Sequence, residues 1–139
     1  MKIVIEIPGE PCGQGRPRFA RRGNFTVAYD PPKSKNWKAT AQQHMKYVMC
    51  DRPPLSGPLS VRLTARFTCP KTDCRKREPR PERWHAKKPD AENVSKAVLD
   101  AATGVVYLDD SQVARLTVLK RIAAQGAAPY VVLEVEELV

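Results

Sequence analysis

From Leu59 to Thr68 apolar and polar residues alternate without a break: Leu59, Val61, Leu63, Ala65 and Phe67 against Ser60, Arg62, Thr64, Arg66 and Thr68. Successive side chains of a strand point to opposite faces, so this run is a strand with one buried face and one polar, basic face. A half-buried strand needs a second layer to cover its apolar side. Two helical patterns can supply it. In Lys33 to Met49, Trp37, Ala41, Met45 and Val48 recur at spacings of four, four and three, with His44 beside the stripe. In Asp90 to Ala102, Val94, Ala97, Val98 and Ala101 keep the i, i+3, i+4, i+7 rule, and Gly104 follows as a stop. Ile3, Ile5 and Ile7 predict a first strand closed by Pro8-Gly9, with a short strand before the first helix. Val105 to Leu108 reads as a short strand running into Asp109-Asp110. Gln112 to Ile122 and Tyr130 to Glu136 predict two more, joined by a Gly126-Ala127-Ala128-Pro129 turn. Helices interleaved with strands predict an α/β (α+β) fold, a mixed sheet with two main helices, as one domain over residues 1–139.

Charge limits what such a domain meets. Its 24 basic and 15 acidic residues give +9, a footprint suited to a polyanion such as nucleic acid. The excess is concentrated. Lys71 to Lys88 holds eight basic residues (Lys71, Arg75, Lys76, Arg77, Arg80, Arg83, Lys87 and Lys88) against Asp73, Glu78 and Glu82. With Pro79 and Pro81 inside, the stretch at about 70–89 predicts an extended or mobile loop whose charge is free to meet phosphates. Trp84 and His85 offer rings for base stacking, although Trp84 reads first as an anchor pinning the loop to the body. A second basic segment, Gly13-Gln14-Gly15-Arg16-Pro17-Arg18, extends to Arg21 and Arg22. It combines glycines that allow close backbone approach with guanidinium forks that match phosphate oxygens.

The apolar runs are too short to span a bilayer, and Glu6 interrupts the first of them with no cleavage signature, so no signal peptide is read. The expected location is the cytoplasm, where Cys12, Cys50, Cys69 and Cys74 would be free thiols. Cys69, Cys74 and His85 keep open a zinc-bound nucleic-acid adaptor, although zinc sites usually show two tight pairs of ligands.

The sharpest pattern is Asp90-x-Glu92-Asn93-x-x-Lys96, followed by Asp109-Asp110. Two carboxylates open a helix, and two more end the segment that follows it. Hard divalent cations take such oxygen donors and polarise a phosphodiester; Lys96 would offset charge on the phosphate. Each residue also has a local reading. Asp90 suits an N-cap, Glu92 a first helical turn, Asp109-Asp110 a turn, and Lys96 an ion pair with Asp100 four residues on.

Lys88-Pro89-Asp90-Ala91-Glu92-Asn93-Val94-Ser95-Lys96-Ala97-Val98-Leu99-Asp100, then Asp109-Asp110-Ser111-Gln112-Val113, resembles the signature of the RusA-type Holliday junction resolvases of bacteria and their prophages. Pro8-Gly9 through Arg16-Pro17-Arg18 resembles that family's opening segment. The resemblance implies a homodimer that binds four-way DNA junctions and hydrolyses two phosphodiesters with Mg²⁺, Mn²⁺ substituting. It implies no membrane and no small-molecule cofactor. It carries metal binding onto Asp90, Glu92 and Asp110, with Asp109 adjacent, and makes Lys96 the catalytic lysine. Arg16, Arg18, Arg75, Lys76, Arg77, Lys87 and Lys88 would hold the DNA backbone. One position departs from the pattern: Glu92 stands where the family usually has aspartate, reaching one methylene further. That departure keeps a second expectation open, a branched-DNA-binding module that cuts weakly or not at all.

Overall fold

A computed structural model describes residues 2–139; Met1, the first residue of the expected domain, lies outside them. The chain forms β1 (Lys2–Pro8), β2 (Arg18–Arg22), β3 (Phe25–Tyr29), α1 (Pro32–Met49), β4 (Leu59–Phe67), β5 (Arg83–Trp84), α2 (Ala91–Ala102), β6 (Val113–Ile122) and β7 (Tyr130–Glu137). Five strands make a mixed sheet in the order β1-β7-β4-β6-β5. β4 and β6 are parallel and every other neighbouring pair is antiparallel. A parallel pair cannot be joined by a tight turn, and the crossover from β4 to β6 carries the basic loop, β5 and α2.

The alternation in β4 has the expected consequence: Leu59, Val61, Leu63, Ala65 and Phe67 are buried. Leu63 lies opposite Leu133 on β7 and Val118 on β6. Ile3, Ile5 and Ile7 of β1 and Val131, Leu133 and Val135 of β7 share this core with Ala41, Met45, Val94, Val98 and Ala101 of the helices.

Three local expectations are corrected. Val105 to Leu108 is a turn rather than a strand, touching the fold through isolated bridges of Tyr107 to Leu55 and Thr103. Val106 and Tyr107 plug the core there, and the Tyr107 hydroxyl donates to the Leu99 carbonyl at 2.8 Å, so burial rather than pairing explains the apolar run. The single short strand before α1 is a hairpin of two, β2 and β3, separate from the main sheet. The basic loop is pinned at several points rather than left loose. Gln125 accepts from the Arg75 and Arg80 amides at 2.9 and 3.1 Å and donates to the Arg75 carbonyl at 2.8 Å. Glu82 holds Arg66 and Arg121 at 2.6 and 3.2 Å, which keeps its carboxyl below the usual value, and Arg83 pairs with Asp73 at 2.8 Å.

The inward face of α1 also differs from the apolar stripe. It runs through Ser34, Lys38, Ala41, Met45 and Met49, with Trp37 and Val48 at its margins. Lys38, only 8% exposed, ends in an ion pair with Asp30 and a 2.7 Å bond to Asp100 on α2. The Lys38 hydrogen bond holds the Asp30 carboxyl below its ordinary value. Burial pulls the Lys38 ammonium down, but bonds to Asp100 and Asp30 outweigh it and raise its pKa.

Lys38→Met is expected to destabilise the fold by about 1–2 kcal/mol. That is less than the several kcal/mol of a fully buried broken pair, because both carboxylates keep water contact. Asp30 contributes above its ordinary value of 3.8 and loses its contribution as pH falls through its lowered native value. Lys38, with a raised value, contributes fully below its ordinary value and loses it only at strongly alkaline pH. The gap in melting temperature between wild type and Lys38→Met is therefore flat near neutrality and narrows as pH falls below about 4. Thermal melts across pH check this; a gap that widens in acid refutes it.

Candidate active site

Asp90 is the N-terminal boundary residue of α2, as its spacing suggests, but its side chain makes no capping hydrogen bond. Its carboxylate is left for other work. It lines a cleft of about 760 Å³ that also takes in Glu10, Arg16, Lys33, His85, Lys88 and Asn93. Phe67 and Ile122, the last residues of β4 and β6, lie in the same cleft. The cleft thus sits at the carboxyl ends of the two parallel strands, where open α/β sheets commonly bind ligands.

The segment before the hairpin forms one wall, and glycine is required there by contact. A Cβ on Gly13 would fall 2.7 Å from the Pro89 Cβ, and one on Gly15 would fall 2.6 Å from the Pro31 Cγ. Between them Gln14 donates its backbone N–H to the Asn93 carbonyl at 2.9 Å and its side-chain amide to Asp30 at 3.2 Å. Its Oε1 is buried and has no hydrogen-bond partner among the described residues. Gln14 also lines a second cavity, about 270 Å³, with Lys96, Leu99, Asp100 and Asp110. The two acids that the motif separates by twenty residues therefore flank adjoining cavities that share Gln14.

Asp110 opens a 3₁₀ turn, Asp110–Gln112, that leads into β6. Gln112 donates to the carbonyls of Leu55 and Gly57 at 2.9 and 3.0 Å and accepts from the Leu108 and Asp109 amides at 2.8 Å, which fixes the turn to the body. Asp109 is occupied by this turn: its carboxylate takes part in a capping box and accepts from the Ser111 hydroxyl at 2.7 Å, which lowers its pKa. Asp110, exposed, is the acid of the pair that lines the cavity.

Lys96 does not pair with Asp100. It pairs with Glu92, one turn back, at 3.1 Å, while Asp100 is taken by Lys38. The reason is direction: helical side chains lean toward the N-terminus, so Lys96 meets Glu92 more readily than a residue ahead of it. Glu92 is exposed and lines neither cavity.

Among the described residues no three His, Cys, Asp or Glu side chains converge as a ready metal cage. Mg²⁺ is ordinarily held by one or two carboxylates, completed by waters and phosphate oxygens, so a closed cage is not required. Asp90 and Asp110 supply the right donor chemistry, and Gln14 lines both of the cavities in which they stand. The residues present fit a hard divalent ion.

The basic residues divide into two groups. Arg16 and Lys88 line the Asp90 cleft directly. Arg18 and Lys87 are exposed close to them in sequence, and Arg75, Lys76 and Arg77 are exposed on the stretch tethered by Gln125. Trp84 lies on β5, which pairs with β6, and the Arg121 guanidinium sits 4.1 Å over its ring, while the residue stays 65% exposed. His85 is not free to stack on a base, because its ring packs 4.5 Å from that of Phe67. Burial, aided by Lys120, depresses its pKa. Lys33, Lys38, Gln14 and Gln125 were missed by sequence reading, since nothing in spacing marks an isolated lysine or glutamine whose partners lie far along the chain.

Two helices cover one face of the mixed sheet, and acids and bases share the cleft at the ends of its parallel strands. The chain belongs to the RusA endodeoxyribonuclease family: the family model "Endodeoxyribonuclease RusA" matches residues 8–136. It is also similar to a protein of Bacillus subtilis (strain 168) named "Uncharacterized protein YqaN", 32% identical over 141 residues that cover 96% of each chain. Among the described residues no helix is long and apolar enough to cross a membrane.

Proposed function

We propose that this protein is a structure-selective endonuclease that resolves four-way DNA junctions by divalent-metal-dependent hydrolysis, acting as a homodimer. The observation that carries the reading is the cleft in which Asp90 stands among Arg16, Lys33 and Lys88, next to the cavity shared by Asp110 and Lys96. Bases hold a polyanion there and acids stand where its phosphate would be attacked. Arg16, Lys33, Lys87 and Lys88 grip backbone phosphates, so binding weakens steeply with salt. Asp90 and Asp110, with Glu92, hold Mg²⁺ or Mn²⁺, which supplies Lewis acidity to the phosphodiester and offsets its developing charge. Lys96 adds a fixed cation beside Asp110. A two-fold dimer presents two such sites to a substrate that is itself nearly two-fold symmetric.

Glu92, longer than the usual aspartate and already paired with Lys96, favours a second reading: a module that binds junctions without cutting them. One experiment separates the two. A labelled synthetic junction and its linear arms are incubated with the protein in Mg²⁺, Mn²⁺ or EDTA. Paired symmetric nicks confined to the junction, and absent in EDTA, are expected. Tight junction binding that stays uncut in both metals establishes the binding module instead, and equal cutting of linear duplex overturns junction selectivity.

A further inference from the structure

The hairpin of β2 and β3 stands apart from the five-stranded sheet and contributes nothing to the core. Nine of its ten strand residues are exposed, including Phe19 at 69% and Phe25 at 73%. A two-stranded ribbon with nothing behind it is barely stable in water, and exposed aromatic rings are costly there, so the feature calls for a partner. Its register shows what is displayed. Arg22 lies opposite Phe25, Ala20 opposite Val27, and Arg18 opposite Tyr29, so one face alternates guanidinium groups with aromatic and apolar side chains. Phe19, Arg21, Thr26 and Ala28 make the other face. Residues 16–29 contain four arginines and no acid. Among the described residues none of these arginines has an acidic partner, and the Arg21 side chain bonds only to the Gly23 carbonyl, at 3.4 Å.

The root of the ribbon is held firmly. Gln14 ties the segment ahead of it to Asn93 and Asp30, and Asp30 is tied through Lys38 to Asp100 on α2. Arg16, at the root, lines the Asp90 cleft. Strands of five residues, each about 17 Å long, carry the tip, with Arg22 and Phe25 flanking the Gly23-Asn24 turn.

We infer that the β2–β3 ribbon is a nucleic-acid arm: Arg18, Arg21 and Arg22 clasp phosphates while Phe19 and Phe25 stack on unpaired bases beside the cleaved strand. The charge decides the occupant. A second copy would bring the same four arginines against these four in a chain of net charge +9, whereas a strand with exposed bases offers phosphates for the arginines and flat faces for the rings. In a four-way junction the helical stack is interrupted at the point of strand exchange, where the flanking base pairs open most easily. This assignment deepens the junction-nuclease reading and rests on it only for the choice of branched DNA.

The test uses the full chain in EDTA, with 2-aminopurine at the exchange point of a four-way junction, in a fully paired duplex, and in a single strand. Circular dichroism confirms that each variant folds. Wild type is expected to raise the fluorescence of the probe several-fold on the junction and to change it on the single strand, but not on the duplex. Phe19→Ser/Phe25→Ser is expected to lose both responses at saturating protein and to weaken junction binding at least about tenfold. Arg21→Gln/Arg22→Gln is expected to weaken binding about tenfold and to flatten its salt dependence by roughly two ion equivalents. Failure of the chain to prefer the junction, with the single-strand response still lost in the phenylalanine variant, refutes the junction reading and supports the arm. Unchanged fluorescence responses in the phenylalanine variant refute the arm. Sedimentation equilibrium gives the other overturning result: wild-type self-association that the phenylalanine variant loses assigns the ribbon to a second copy.

Discussion

Asp110→Asn is expected to lower junction cleavage by about 10²–10³-fold while leaving junction affinity unchanged or slightly improved. Asp110 is exposed and is held in position by the Gln112 anchor rather than by its own carboxylate, so the amide keeps the turn intact. What changes is charge. The cavity with Lys96 keeps only the Asp100 carboxylate, which is paired with Lys38, and a divalent ion would lose a ligand, while repulsion toward a phosphate falls. Single-turnover cleavage and gel-shift titration, run side by side, measure the two effects separately. A variant that cuts at the wild-type rate removes Asp110 from the machinery. A variant that neither cuts nor binds shows that the turn, and not the carboxylate, was what the site needed. Asp109→Asn makes an informative companion in the same assay, because its carboxylate is committed to the cap and to Ser111.

Leu63→Ala is expected to cost about 3 kcal/mol of folding stability and to lower the melting temperature by roughly 10 °C. Leu63 is fully buried on β4, at the centre of the sheet, opposite Leu133 and Val118. Neighbours on both flanks are fixed by strand pairing, so the space left by the lost carbons cannot close easily, and the cavity adds to the lost burial. Leu116→Ala, on β6 of the same sheet but 42% exposed, should cost well under half as much. Equal losses at the two positions, read by chemical denaturation, refute this account of the core. Because β4 leads into the Asp90 cleft through Phe67, a loosened Leu63→Ala core also predicts cleavage that fails at a lower temperature than in wild type.

How much of this was legible in the chain depends on the range of the interaction. Strand alternation in β1 and β4 and the periodicity of α2 are written in consecutive residues and appear where expected. The Asp90 to Lys96 motif and the Asp109-Asp110 pair are likewise local strings, and they led to the family without any coordinates. Errors arose where the deciding partner was distant. Lys38 reads as a surface lysine until Asp30 and Asp100 are brought to it, and it displaces Trp37 from the centre of the α1 face. The basic loop reads as loose because Gln125, about fifty residues after Arg75, gives no sign that it binds there. Val105 to Leu108 is apolar enough for a strand, yet its role is to fill space under α2.

The sequence by itself determined the class of fold, the excess of basic charge and the family, and it supplied the acids proposed to act, since each rests on side-chain chemistry at fixed short spacing. Tertiary structure decided which of those acids are available. Folding tied Asp109 to Ser111 and Asp100 to Lys38, left Glu92 in an exposed ion pair with Lys96, and placed Asp90 and Asp110 on adjoining cavities that share Gln14. The physical reason is that a carboxylate's function depends on which cation or hydrogen-bond donor reaches it first. In a chain crossing from β4 to β6 through a helix, that neighbour is set by packing and not by sequence distance.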